Sequence, residues 1–94
     1  DLAGLRARIA AAREVLGGLS DRDFDGAETR RVIHRAGFAD LDQDGTAFLR
    51  DYGLPNMYFH LAMAYAALRA AGLPLGKGDF DGLHAYLAGF SFHD

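Results

Sequence analysis

Apolar residues recur every three or four positions along the first part of the chain, which is the spacing of one face of an α-helix. Asp1 is suited to cap the start of this helix, and the pair Gly17-Gly18 is suited to end it. The pattern therefore predicts an amphipathic helix at the start of the chain. Its apolar stripe consists of Leu2, Leu5, Ile9, Ala12, Leu16 and Leu19.

The period of the pattern changes to two after Ala27. Arg31, Ile33 and Arg35 alternate with less polar neighbours, which is typical of a half-exposed β-strand. A turn at Ala36-Gly37 and a short return strand over residues 38–41 would complete a hairpin. The sequence therefore predicts a small β-hairpin between helical segments.

A second helical pattern opens at Asp44-Gly45-Thr46 and runs to Tyr52. Leu54-Pro55 should kink or end this helix, since proline has no N–H to donate to the helical ladder. A further helix then follows from Asn56 to Ala71.

This further helix is apolar on every side. Between Leu54 and Ala71 the strongly polar residues are Asn56, His60 and Arg69. A helix that is apolar all round must be buried all round. One amphipathic helix and a hairpin cannot cover it, so we expect either a homodimer that rebuilds a four-helix bundle or a missing N-terminal half.

A transmembrane span is an alternative interpretation of the same segment. Its length suffices, but proline, asparagine, histidine, arginine and many alanines make its transfer into lipid unfavourable. We therefore expect no membrane association. The apolar spacing of Leu83, Tyr86, Leu87 and Phe90 predicts one more short packing helix over residues 83–92.

Composition places the chain among globular domains. Half of its 94 residues are hydrophobic, and there are no cysteines to form disulfides or a cysteine–zinc site. This length predicts a single domain over residues 1–94. A net charge of −3 argues against a nucleic-acid partner. The chain opens without a basic-then-apolar leader, which predicts a cytoplasmic location, and its arginine and alanine content suggests a bacterial source.

The segment 40–51 has the spacing of a calcium-binding EF-hand loop. Asp40, Asp42 and Asp44 alternate, Gly45 follows, and Asp51 stands at the twelfth position. The segment before this loop is predicted as strand and turn and not as the helix of an EF-hand. The sequence also has no second loop that could pair with this one. The alternative is a solvated acidic turn that ends in a helix N-cap, and we expect this second arrangement.

Asn56 and His60 are the polar pair with the spacing of a site, because residues four apart share a face of a helix. His60 could be a metal ligand, a general base or a hydrogen-bonded core residue. We expect it to be hydrogen-bonded, and we expect Asn56 to be structural. His34, His84 and His93 show no ligand spacing with one another.

Nearly the whole chain resembles an uncharacterised bacterial family, a domain of unknown function in the DinB/YfiT-like superfamily of four-helix bundles, and the stretch 54–80 is its most specific part. The upstream turn Phe24-Asp25-Gly26 is also similar. Members of the family are close to twice this length, and the resemblance is to their C-terminal half. The residues that carry it are Leu54-Pro55-Asn56-Met57-Tyr58-Phe59-His60, Ala64-Tyr65, Leu68-Arg69, Gly72, Leu75-Gly76-Lys77 and Asp79-Phe80.

The resemblance implies metal-dependent enzymes with a histidine triad and thiol-transfer chemistry. Two of the three ligands lie four apart on a late helix, where His60 matches one and Asn56 stands in place of the other. The third ligand would come from helices that have no counterpart here. This chain therefore resembles a degenerate form of the metal site, with a divalent metal as the implied cofactor.

Together these observations predict a mainly α protein, half of a DinB-like four-helix bundle with a small β-hairpin between helices. The leading hypothesis is a DinB-like protein of unknown activity, a degenerate metal-dependent enzyme with its site at Asn56 and His60. The alternative is a non-enzymatic helical module that associates with itself or with a partner. A single calcium-binding loop at 40–51 is the third hypothesis.

Overall fold

A computed structural model describes residues 1–90 and shows a mainly helical chain with one antiparallel hairpin. The backbone divides into two compact units, Asp1–Arg50 and a second that begins at Asp51. Helix α1 of the first unit spans Leu2–Gly17. The Asp1 carboxylate accepts a hydrogen bond of 2.7 Å from the amide of Gly4, and Gly18 caps the other end, so both predicted ends of the helix are confirmed.

A short 3-10 helix, Asp21–Phe24, follows α1. The carboxylate of Asp23 accepts hydrogen bonds from the Ser20 amide at 2.6 Å and from the Ser20 hydroxyl at 2.9 Å. These two donors stabilise the charged carboxylate and lower the pKa of Asp23. The start of this turn is therefore fixed by the side chain at its third position.

The predicted hairpin consists of β1, Arg31–Ala36, and β2, Ala39–Asp44. Ala36 pairs with Ala39, and Gly37 begins the two-residue turn with φ of 60°, a conformation that favours glycine. The turn lies one residue later than predicted. The return strand is also longer, because its alternation of exposed and half-buried residues continues to Asp44.

Helix α2, Gly45–Ala47, begins directly after β2, and the Asp44 carboxylate accepts a hydrogen bond of 2.8 Å from the Ala47 amide. A π-helical segment, Phe48–Gly53, follows, and helix α3 spans Leu54–Ala70. Pro55 lies in the first turn of α3, where its missing N–H costs least. The predicted helix start is confirmed. The predicted break at the proline is not made: Gly53 has right-handed helical dihedral angles, and the backbone only changes there from π-helix to α-helix.

In the second unit, helix α4, Lys77–Asp81, folds back on α3. The Tyr65 and Phe80 rings meet edge to face with centroids 5.5 Å apart, and the Tyr65 hydroxyl donates a hydrogen bond of 3.5 Å to the Leu75 carbonyl. An apolar cavity lies beside this contact, lined mainly by Leu61, Ala64, Leu68 and Leu75.

The predicted packing helix over residues 83–92 is wrong for its described part, since residues 83–90 are not helical. Gly82 has φ of 70° and turns the chain, and the Asp81 carboxylate accepts hydrogen bonds from the amides of Leu83 and His84. A second left-handed glycine, Gly89, follows seven residues later. Residues 91 and 92 lie outside the described part of the chain.

The described residues lack a buried core, since each side chain from 1 to 90 is either half-buried or exposed. Helix α3 shows this best: Met57 is 52% exposed, Phe59 59% and Met63 56%. The helix that the sequence predicts to be buried on all sides is therefore uncovered over most of its surface. No helix in residues 1–90 has the length and apolarity that a bilayer span requires.

Candidate functional site

Helix α3 has two faces with different surroundings in the second unit. The packing face, centred on Tyr65 and including Leu61 and Leu68, contacts the segment that ends in α4. The helical period places a different set of residues on the opposite side. We call this side the open face, and it consists of Asn56, Phe59, His60, Met63 and Ala67.

Asn56 and His60 both lie on the open face, as the sequence predicts from their spacing. Asn56 is half-buried and His60 is exposed. The imidazole of His60 meets the ring of Phe59 edge to face, with centroids 5.2 Å apart. Among residues 1–90 neither side chain finds a hydrogen-bond partner, so the predicted bonds of both residues are not made within the described chain.

The donor set around His60 does not fit a divalent metal. Catalytic zinc takes three protein ligands of imidazole, thiolate or carboxylate type, and here one imidazole stands beside one amide. In residues 1–90 no three His, Asp or Glu side chains come close enough to share an ion. Any metal at His60 would therefore need donors from outside these residues.

Two further histidines lie elsewhere in the fold. His34, on the inner face of β1, is 2.9 Å from the Gln43 amide oxygen and meets the Phe48 ring at 5.1 Å. His84 pairs with the Asp81 carboxylate. Each thus has a local partner in its own unit, and His93 lies outside the described residues.

The acidic segment at 40–51 is a strand followed by helix, not an EF-hand loop. Asp40 contacts Arg35 at 2.7 and 3.1 Å, and Asp42 contacts Arg31 at 2.6 Å. Asp44 is the N-cap of α2. The alternate carboxylates share the exposed face of β2, because side chains two apart in a strand lie on the same side. Their ion pairs lower the pKa of Asp40 and raise that of Arg35.

The role of the Asp81 carboxylate was not predicted from the sequence. It accepts hydrogen bonds from the backbone amides of Leu83 at 2.8 Å and His84 at 2.9 Å, and it also pairs with the His84 ring. The amide of His84 contributes most, and the pKa of Asp81 falls to about 2. The arrangement is a turn after α4 in which the Asp81 side chain satisfies backbone amides, and its role is therefore structural.

A second cavity of the same unit was also missed from the sequence. It lies where the last turn of α3 meets the start of α4 and the following segment, and its volume is about 470 Å³. Arg69 and Lys77 line it together with the aromatic rings of Tyr65, Tyr86 and Phe90. Arg69 lies in α3 and Lys77 begins α4, with a turn between them, so no single periodic pattern in the sequence connects them.

Comparison with known proteins defines the class first. The fold is similar to the crystal structure of a DinB family member protein from Shewanella denitrificans, with a TM-score of 0.76 and 38% sequence identity. The match covers 94% of this chain and 49% of that one, so the chain spans about half the length of its structural relative. The chain is DinB-like.

The particular family is a domain of unknown function, DUF1993, which matches residues 1–81, and the chain belongs to this family. The resemblance that the sequence carries is thereby confirmed. Among curated proteins, none matches the sequence.

Proposed function

We propose that this chain is an assembly module that supplies one half of a DinB-like helical bundle, and that the open face of α3 is its interface. The observation that carries this proposal is the exposure of Phe59 and Met63 on a helix that is apolar all round. Monomeric proteins rarely leave a contiguous apolar patch of more than a few hundred Å² in water.

The composition of the open face suits helix–helix packing. Phe59 and Met63 offer apolar bulk, and Ala67 follows one turn later, where a small side chain allows another helix to approach closely. The face carries no formally charged Asp, Glu, Lys or Arg side chain. Association would therefore bury apolar surface without the cost of removing a fixed charge from water.

The occupant that we propose is a second copy of this chain. This chain aligns with about half of its DinB structural relative, so two copies would supply as much chain as one bundle. Symmetric dimers are the commonest form of self-association. A separate helical half is the other source of the same packing surface.

Asn56 and His60 would then lie inside the interface. A polar side chain that is buried without a partner costs about 1–3 kcal/mol, so both must find partners across the interface. In our proposal Asn56 and His60 are hydrogen-bonded structural residues. The second candidate function is a degenerate metal-dependent enzyme, and the position of His60 on this face supports it. Such a site would need its remaining metal ligands from the other half of the bundle.

Sedimentation velocity of two charge variants tests the proposed interface. Met63→Glu places a charge on the open face, whereas Ile33→Glu places one on the outer face of the hairpin, where Ile33 is 79% exposed. We expect Met63→Glu to convert the dimer to a monomer and Ile33→Glu to leave it unchanged. Equal sedimentation of both variants and the unmodified chain would contradict the assignment of the interface to α3.

A further inference from the structure

We propose that the cavity of about 470 Å³ in the second unit binds a small anionic molecule that carries a planar aromatic ring. The site is separate from the open face, because it is built from the packing side of α3 and from the chain that follows. Its volume falls within the range of about 300–1,000 Å³ that is usual for small-molecule sites.

The charge of the lining indicates an anion. Arg69 and Lys77 are the two Lys or Arg residues between positions 51 and 90, and both line this cavity. Its lining residues include no Asp or Glu, although the whole chain has a net charge of −3. The nearby carboxylate of Asp79 accepts a hydrogen bond of 2.7 Å from the Gly76 amide.

One of the two cations is held in place by an aromatic ring. The guanidinium of Arg69 lies over the ring of Tyr65, with its central carbon 5.9 Å from the ring centroid. Tyr65 is itself fixed by its edge-to-face contact with Phe80. Arg69 is therefore partly oriented before any ligand arrives, and less side-chain entropy is lost on binding.

The aromatic part of the lining indicates a planar group. Tyr86 and Phe90 are nearly parallel, with an interplanar angle of 11° and centroids 5.2 Å apart, and both line the cavity. His84 continues the stack beside Tyr86 at 6.3 Å. Offset stacking is a favoured arrangement of aromatic rings, and the two rings make this side of the cavity lining aromatic.

Two ligand sources share this chemistry, an aromatic phosphate and an aromatic carboxylate. Guanidinium and ammonium groups bind both kinds of oxyanion. The probes are AMP for the phosphate and 2-naphthoate for the carboxylate. Adenosine is the matched control that keeps the ring and lacks the charge.

Isothermal titration of the full chain with each probe tests the proposal. We expect AMP or 2-naphthoate to bind at millimolar Kd or better, and adenosine to bind at least about tenfold more weakly than AMP if the phosphate is the preferred anion. The variant Lys77→Gln should weaken the bound probe about tenfold, and Lys77→Arg should restore most of the affinity.

The control variant is Arg8→Gln, which removes one positive charge from α1 in the other unit. It should leave the affinity unchanged, while circular dichroism should show that all variants retain the same helix content. The proposal is overturned if neither anion binds, or if Arg8→Gln and Lys77→Gln weaken binding to the same extent.

Discussion

A β-carbon at Gly45 would lie 1.7 Å from the carbonyl oxygen of Ala27. The same contact brings the Thr46 amide to 3.1 Å from the Glu28 carbonyl, so the turn before β1 is joined to the start of α2. The segments that enter and leave the hairpin are thus joined to each other by a backbone hydrogen bond. A glycine is required at position 45 because of this close approach, and no unusual backbone angle is involved.

Gly45→Ala is therefore expected to destabilise the first unit, because two backbone segments would have to separate to admit a methyl group. Gly17→Ala is the matched control, since a β-carbon at Gly17 in the last turn of α1 meets nothing within 4 Å. There alanine should be neutral or stabilising by up to about 1 kcal/mol from helix propensity. Urea denaturation of both variants would measure the difference, and equal midpoints would contradict the described contact.

The carboxylate of Asp44 is expected to act as a helix cap. Asp44→Ala should lower the free energy of unfolding by about 0.5–2 kcal/mol, because the Ala47 amide loses its acceptor. Asp42→Ala removes an exposed ion pair with Arg31 and should have the smaller effect. Calorimetric titration with calcium checks the same segment, and micromolar calcium binding that Asp44→Ala abolishes would contradict the capping role.

Because of the Asp81 turn, the free energy of unfolding of the second unit should vary with pH in the acid range. The pKa of Asp81 is lowered from 3.8 to about 2, so the contribution is fully present above pH 4. It is lost as the pH falls from 4 through 2, because the folded state then has to take up the proton that the unfolded state binds more readily. A carboxyl-detected NMR titration should follow the residue, and Asp81→Asn should remove this part of the pH dependence.

The chain by itself is expected to purify without a stoichiometric metal, since His60 stands beside an amide and not beside a second strong ligand. Elemental analysis after exposure to zinc and desalting measures this directly, with His60→Ala as the paired variant. One equivalent of zinc that is lost in His60→Ala, with the helix content intact, would favour the degenerate enzyme over the assembly module.

The local elements could be predicted from the sequence because their signals are local. Asp1, Asp44 and the glycines at the end of α1 act within one helical turn, and the alternation from Arg31 onward shows the strand directly. Pro55 marks the change from π-helical to α-helical backbone for the same reason.

Two kinds of feature were not predictable: those that depend on contacts between distant residues, and those whose residue spacing suits two different structures. The spacing of Asp40, Asp42 and Asp44 suits both a calcium loop and the outer face of a strand, and only the pairing of β1 with β2 decides between them. The segment after α4 has helical spacing, yet it is not helical. The Asp81 carboxylate accepts hydrogen bonds from the following backbone amides, and Gly82 adopts a left-handed conformation, so the helix ends there. Arg69 and Lys77 line one cavity because α4 returns to α3, which no local pattern indicates.

The mass of the unmodified chain in dilute solution tests the assembly proposal most directly. Light scattering coupled to size-exclusion chromatography should give a particle of twice the chain mass of 10.2 kDa, with a monomer appearing only as the concentration is lowered. A folded, helical particle of 10.2 kDa at every concentration would contradict the account, because the open face of α3 would then be stable in water without a partner.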